Sequence, residues 1–156
     1  MERLVNTDNQ ELDLTKVYSQ ETFHFKPKGL WYALDQEWID WCNDNMEGWV
    51  RPNIIKLEID EANLLILKTK KEVETFARRF NTPIEGSLFA SIDWLEVSKT
   101  YSGIEIQNYR IIKYNDLLDF MSDAWFLGWD VSSGCIWDLS IIKSFVSFPL
   151  EQIIEK

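Results

Sequence analysis

Leu64-Leu65-Ile66-Leu67-Lys68-Thr69-Lys70-Lys71-Glu72-Val73-Glu74-Thr75-Phe76-Ala77-Arg78-Arg79-Phe80-Asn81-Thr82-Pro83 sets a strand signal directly before a helix signal. The first four residues form an unbroken apolar run of strand length, which predicts a central strand. Thr69 and Glu72 have the spacing of a capping box, in which hydroxyl and carboxylate each satisfy a backbone N–H of the first turn. Val73, Phe76, Ala77 and Phe80 then recur at i, i+3, i+4 and i+7, so one side of the helix is apolar. Pro83 lacks an N–H and stops it.

The same alternation runs outward in both directions. Asn53–Ile59 alternates apolar and polar residues like a half-buried strand. Arg3–Asn6 and Gly29–Ala33 read as two earlier strands, separated by a polar stretch that Pro27 closes. Asp35 is placed to cap a helix reaching about Asn45, with Trp38, Ile39, Trp41 and Cys42 on one side. Downstream, a second helix is predicted over Ser91–Lys99 with Ile92 and Leu95 inward, and Gly103–Ile106 as a strand. Asn115 is placed to cap a third helix containing Leu117, Leu118, Met121 and Trp125. Gly128–Val131 and Gly134–Trp137 read as a strand pair, with Ser132-Ser133-Gly134 between them as turn or bulge, and Lys143–Phe148 as the last strand. Short strands interspersed with variable helices predict an α+β domain: a compact mixed β-sheet core with three to four flanking helices. Nothing resembles a linker or repeat, so residues 1–156 are read as one domain, long enough to bury roughly 70% of the unfolded surface.

Charge narrows the partners. Sixteen Lys and Arg against 26 Asp and Glu leave a net charge of −10. Bulk nucleic-acid binding needs a basic face, and the one basic cluster, Lys68 to Arg79, is interleaved with Glu72 and Glu74. Anionic membrane surfaces are disfavoured for the same reason, whereas a basic protein partner would be attracted. No run of 18 apolar residues is present, and Met1–Asp8 lacks a signal-peptide apolar segment, so a cytoplasmic protein is expected.

Few standard catalytic signatures survive inspection. No Walker loop, no Gly-x-Ser-x-Gly elbow and no Gly-x-Gly-x-x-Gly occurs. With one histidine, His24, and two cysteines, a Cys/His metal site is not expected. Cys42 lies on the inward helix stripe and Cys135 in an apolar strand, which predicts buried, inert thiols. Two carboxylates set among apolar neighbours on predicted strands are the catalytic candidates: Asp130, in Gly128-Trp129-Asp130-Val131, and Glu105, in Gly103-Ile104-Glu105-Ile106. The plainer alternative places each at an outward, solvent-facing position of its strand. Two such acids also suit glycoside hydrolysis if close together. Eight tryptophans are present, most of them read as core, with Trp31 and its neighbour Tyr32 as candidates to line a site that stacks flat rings. Adjacent on a strand, these two must face opposite ways.

Phe25-Lys26-Pro27-Lys28-Gly29-Leu30-Trp31-Tyr32-Ala33 with Trp38-x-x-Trp41, Tyr101–Ile106 and Gly128–Trp137 resemble a pattern in small bacterial and phage proteins whose layout is similar to the compact mono-ADP-ribosyltransferase fold. The resemblance implies NAD as substrate and an ADP-ribose acceptor of unknown identity. It implies that Arg3, on the early strand, binds the dinucleotide phosphates, and that Trp31 or Tyr32 stacks on nicotinamide. Asp130, with Glu105 as the other candidate, would then take the place of the family's glutamate, steadying an oxocarbenium-like transition state. Trp31-Tyr32-Ala33 stand where the family has Ser-Thr-Ser, and its Glu-x-Glu or Gln-x-Glu has no counterpart. Beside this stands a second expectation: a non-catalytic acidic module that binds a protein partner through exposed aromatics. Convergence of Arg3, Tyr32 and Asp130 on one cleft separates the two.

Overall fold

In the computed structural model, residues 1–22, 25–83, 90–115 and 124–154 are described. The elements run β1 (Arg3–Thr7), β2 (Leu30–Leu34), α1 (Glu37–Asn45), β3 (Asn53–Ile59), β4 (Leu64–Leu67), α2 (Lys70–Phe80), β5 (Asn81–Pro83), β6 (Ala90–Ile92), α3 (Trp94–Thr100), β7 (Gly103–Ile106), α4 (Tyr109–Asn115), α5 (Ala124–Leu127), β8 (Ser133–Ile136), β9 (Ile142–Pro149) and α6 (Glu151–Ile154). Seven strands form one mixed sheet in the order β4-β7-β8-β2-β1-β3-β9, and β5 and β6 make a separate hairpin-like pair. β4 and β7 are parallel and the other pairs antiparallel. The α+β expectation, a mixed sheet with flanking helices, is met.

The helix at the opening stretch forms with half of the expected capping box: the Glu72 carboxylate accepts from the Thr69 hydroxyl rather than from the Thr69 N–H. Thr69 caps α2, its hydroxyl accepting from the Glu72 N–H, and Val73, Phe76 and Phe80 are buried. These side chains join Trp94, Val97, Trp125 and Phe126 in the largest core cluster, over the β4-β7-β8 half of the sheet. α1 packs over the other half of that face, where Ile39 meets Leu4 and Ile54. The opposite face is covered by Leu12 and Tyr18 of the polar segment after β1 and by Leu139 and Ile142.

Six expectations are corrected. β4 is an edge strand rather than a central one, because an apolar run reports two covered faces and not two neighbouring strands. Asp35 does not cap α1; it sits at φ 52 with its carboxylate accepting from the Glu2 N–H, and Gln36 takes the cap position without a side-chain bond. The predicted helix over Ser91–Lys99 is a strand end followed by α3, where Asp93 caps and Trp94 and Val97, not Leu95, point inward. Gly128–Val131 is not a strand but a turn, with Asp130 at φ 67. Ser133 and Gly134 belong to β8 rather than to a turn between strands. Asn115 ends α4 instead of starting a helix, Trp125 lies in the separate α5, and Leu117, Leu118 and Met121 fall outside the described residues. Among the described residues, no helix is long and apolar enough to cross a membrane.

Candidate functional site

Period-2 geometry splits the four candidates that lie on strands between the two faces of the sheet: Arg3, Tyr32 and Glu105 on one and Trp31 on the other, with Asp130 on the turn before β8. Tyr32 pairs with Gly134 across β2 and β8, and Gly134 pairs with Glu105 across β8 and β7. The three positions form one row, and the middle one carries no side chain. The Tyr32 ring therefore crosses over Gly134, and its hydroxyl donates to Glu105 Oε1 at 2.8 Å. A Cβ at position 134 would lie 2.3 Å from the ring, so only glycine admits this crossing. Gly134→Ala is expected to cost about 1–3 kcal/mol of stability through overpacking, read from urea denaturation midpoints at unchanged slope.

Arg3 reaches the same carboxylate from β1. Its Nε donates to Glu105 Oε1 at 2.6 Å and its Nη2 to Oε2 at 3.3 Å, and Nη2 also pairs with Glu61. Gln107 Nε2 donates to Glu105 Oε2 at 2.7 Å. Glu105 is fully buried, where the outward-facing alternative would have exposed it; that alternative is corrected. Burial alone pushes its pKa up, but hydrogen bonds from Arg3, Gln107 and Tyr32, with the Arg3 charge, hold it below the ordinary value. Burial and the Glu105 charge drive the Tyr32 phenol well above its ordinary range. Burial works against the charged Arg3 guanidinium, yet its bonds to Glu105 and Glu61 leave its pKa raised. This is an ionised, satisfied cluster: acceptor capacity, charge and donors are matched inside the protein.

The other candidates lie on the helical face. Trp31 and Asp130 line a cleft of about 480 Å³ between the α1 side and the α5 side, floored by β1 and β2. Leu4, Asn6 and Ala33 share the Trp31 face of the sheet and form part of the floor; Tyr32 borders it, with its hydroxyl committed to the far side. Three further tryptophans complete the walls: Trp38 from α1, Trp49 from the short 3-10 helix that follows, and Trp129 from the turn before Asp130. Trp129 meets Trp31 edge-on with ring centres 4.9 Å apart, and Trp125 behind it at 6.3 Å. Trp38 stacks on Trp41 with ring centres 5.2 Å apart and planes 11° apart, and Trp49, 49% exposed, leans on both. The Lys26 ammonium lies over the Trp31 ring, 5.6 Å from its centre. Glu37 ties the cleft's two sides by a hydrogen bond to Ser132; burial raises its pKa, that bond opposing the rise.

Arg3, Tyr32 and Glu105 thus come together, as do Trp31 and Asp130, but the two groups sit on opposite faces of the sheet. Asp130 and Glu105 therefore do not form the facing pair that glycoside hydrolysis needs. His24 falls outside the described residues. Both cysteines are buried and unpaired in any disulfide, and burial raises their pKa values, which keeps the thiols protonated. Among the described residues, no cluster of three His, Cys, Asp or Glu side chains is placed to hold a metal. Sequence reasoning missed Gln107 and Glu61 in the cluster and Lys26, Trp38, Trp49 and Trp129 in the cleft. Gln107 lies two residues from Glu105 and was within local reach, whereas the others are brought in by loops, turns and helix placement that no local pattern reports. No family model, curated protein or solved structure matches the chain.

Proposed function

We propose that this chain is a non-catalytic acidic binding module whose tryptophan-lined cleft receives a protein partner. One observation carries the reading. Four tryptophans from four segments converge on an open cleft and leave indole surface in water, while the polar residues best suited to catalysis are consumed in a buried cluster on the other face. Exposed indole is costly in an isolated domain and is characteristic of contact surfaces, where a rigid ring buries a large area for little conformational entropy. The expected result with NAD is no release of nicotinamide above buffer and no ligand-dependent rise in Tm. Release that disappears in Asp130→Asn would overturn the reading.

A second reading has one observation in its favour: Trp31 and Asp130 share the cleft. In a mono-ADP-ribosyltransferase-like protein, Trp31 would stack on nicotinamide and Asp130 would face the ribose as the bond to nicotinamide breaks. Against it, Arg3 has its guanidinium engaged by Glu105 and Glu61, leaving Lys26 as the cation at the cleft for the dinucleotide phosphates. The NAD experiment separates the two readings directly.

A further inference from the structure

We propose that the cleft takes a cationic side chain, arginine or lysine, presented by a basic segment of the partner protein. The proposal rests on the binding-module reading and adds the chemistry of what is bound. Indole faces carry negative electrostatic potential and attract a cation placed over them. The cleft already does this with a cation of its own, since the Lys26 ammonium sits over Trp31. Trp38 and Trp49, on the opposite wall, are partly exposed, and among the described residues no cation lies over either ring. A guanidinium entering there would find indole surface beside it and Asp130 within the same cleft. Among the described residues the Asp130 carboxylate has no hydrogen-bond or ion-pair partner, so it remains available to pair with an incoming charge. Its backbone is held at φ 67, a conformation an aspartate tolerates better than most residues, which fixes the carboxylate's position on the turn.

The approach to the cleft has the matching sign. From Gly29 to Val50, the segment that supplies Trp31, Trp38 and Trp49, five acids occur (Asp35, Glu37, Asp40, Asp44 and Glu47) and no lysine, arginine or histidine. Asp40 and Asp44 are exposed on α1 and Glu47 on the short 3-10 helix after it. An acidic segment carrying three of the cleft's four tryptophans speeds encounter with a basic segment and repels an acidic one. Lys26 is the opposing element: it occupies one ring and repels a second cation, so it limits affinity.

The test is a tryptophan-fluorescence titration of the whole chain with three end-capped peptides: an oligo-arginine, an oligo-glutamate and a neutral peptide rich in leucine and tryptophan-free aromatics. Saturable quenching by oligo-arginine alone is expected. Trp49→Ala should weaken it about tenfold, Asp130→Asn several-fold, and Lys26→Met should strengthen it. Trp49 is half exposed, so its loss leaves the fold intact, which an unchanged Tm verifies. Oligo-arginine binding that is indifferent to Trp49→Ala and Asp130→Asn is bulk charge attraction and overturns the proposal. Binding of the neutral peptide in its place, sensitive to Trp49→Ala, overturns the cationic ligand while leaving the binding module standing. No saturable response to any peptide sinks both.

Discussion

Replacing Glu105 by alanine is expected to destabilise the domain by about 3–5 kcal/mol, the range for removing one partner of a buried ion pair. The carboxylate is fully buried and accepts from Arg3, Tyr32 and Gln107. Its loss strands three donors at once, one of them charged. Arg3 keeps Glu61 and a side chain 14% exposed, so part of its charge stays compensated and the low end of the range is the natural expectation. Glu105→Gln preserves volume and some hydrogen bonding but removes the charge that Arg3 needs, and should fall between wild type and alanine. Replacing both Arg3 and Glu105 by methionine or leucine should recover much of the loss, because no uncompensated charge is then buried. The cluster also fixes a pH dependence. Glu105 has a folded pKa below its ordinary value of 4.5, so the unfolded chain takes up its proton first as pH falls. The stabilisation is therefore complete above the unfolded value and drains away as pH drops through the lower folded one. Urea midpoints across the acid range should fall less steeply in the double variant than in wild type; identical slopes would show that the cluster is not ionised.

Arg3, Tyr32 and Glu105 were legible as chemically unusual, but their meeting was not. An arginine at the chain start, a ring on the second strand and an acid on the seventh are joined only by register: Tyr32 opposite Gly134, and Gly134 opposite Glu105. Strand order carries no local signal, and a one-residue slip would send Tyr32 to the other face. What is local was readable. The hydroxyl cap at Thr69, the helical spacing through Phe80 and the alternation of Asn53–Ile59 all describe neighbours in sequence. Readings failed where the deciding force is tertiary or conformational. The apolar run of β4 reflected covered faces, and α3 differed in phase by one residue because Asp93 caps it, burying Trp94 in place of Leu95. Asp130 sat among strand-forming residues, yet its positive φ ends the strand signal there. That same turn is what swings Trp129 and Asp130 onto the cleft and away from the sheet.

Trp125→Ala is expected to cost about 3–5 kcal/mol, the range for truncating a large buried aromatic. Trp125 has no solvent exposure and lies against Phe76, Trp94, Phe126 and Trp129, so its removal opens a cavity that four rings cannot collapse into without leaving their own contacts. Trp125→Phe should behave very differently. The indole N–H of Trp125 is buried and has no hydrogen-bond partner among the described residues, so phenylalanine removes an unsatisfied donor together with part of the ring. The gain from deleting that donor offsets some of the lost packing, and a net cost under about 1.5 kcal/mol is expected. The pair of variants also tests whether the cleft is rigidly backed. Trp129 rests on Trp125 and forms a wall with Trp31. If that stack transmits position, Trp125→Phe should fold well yet shift the fluorescence of the cleft and weaken peptide quenching, whereas Trp94→Phe, in contact with Trp125 but outside the cleft lining, should leave both unchanged. Equal quenching in the two variants would mean that Trp129 is held by its own turn and needs no support from the core behind it.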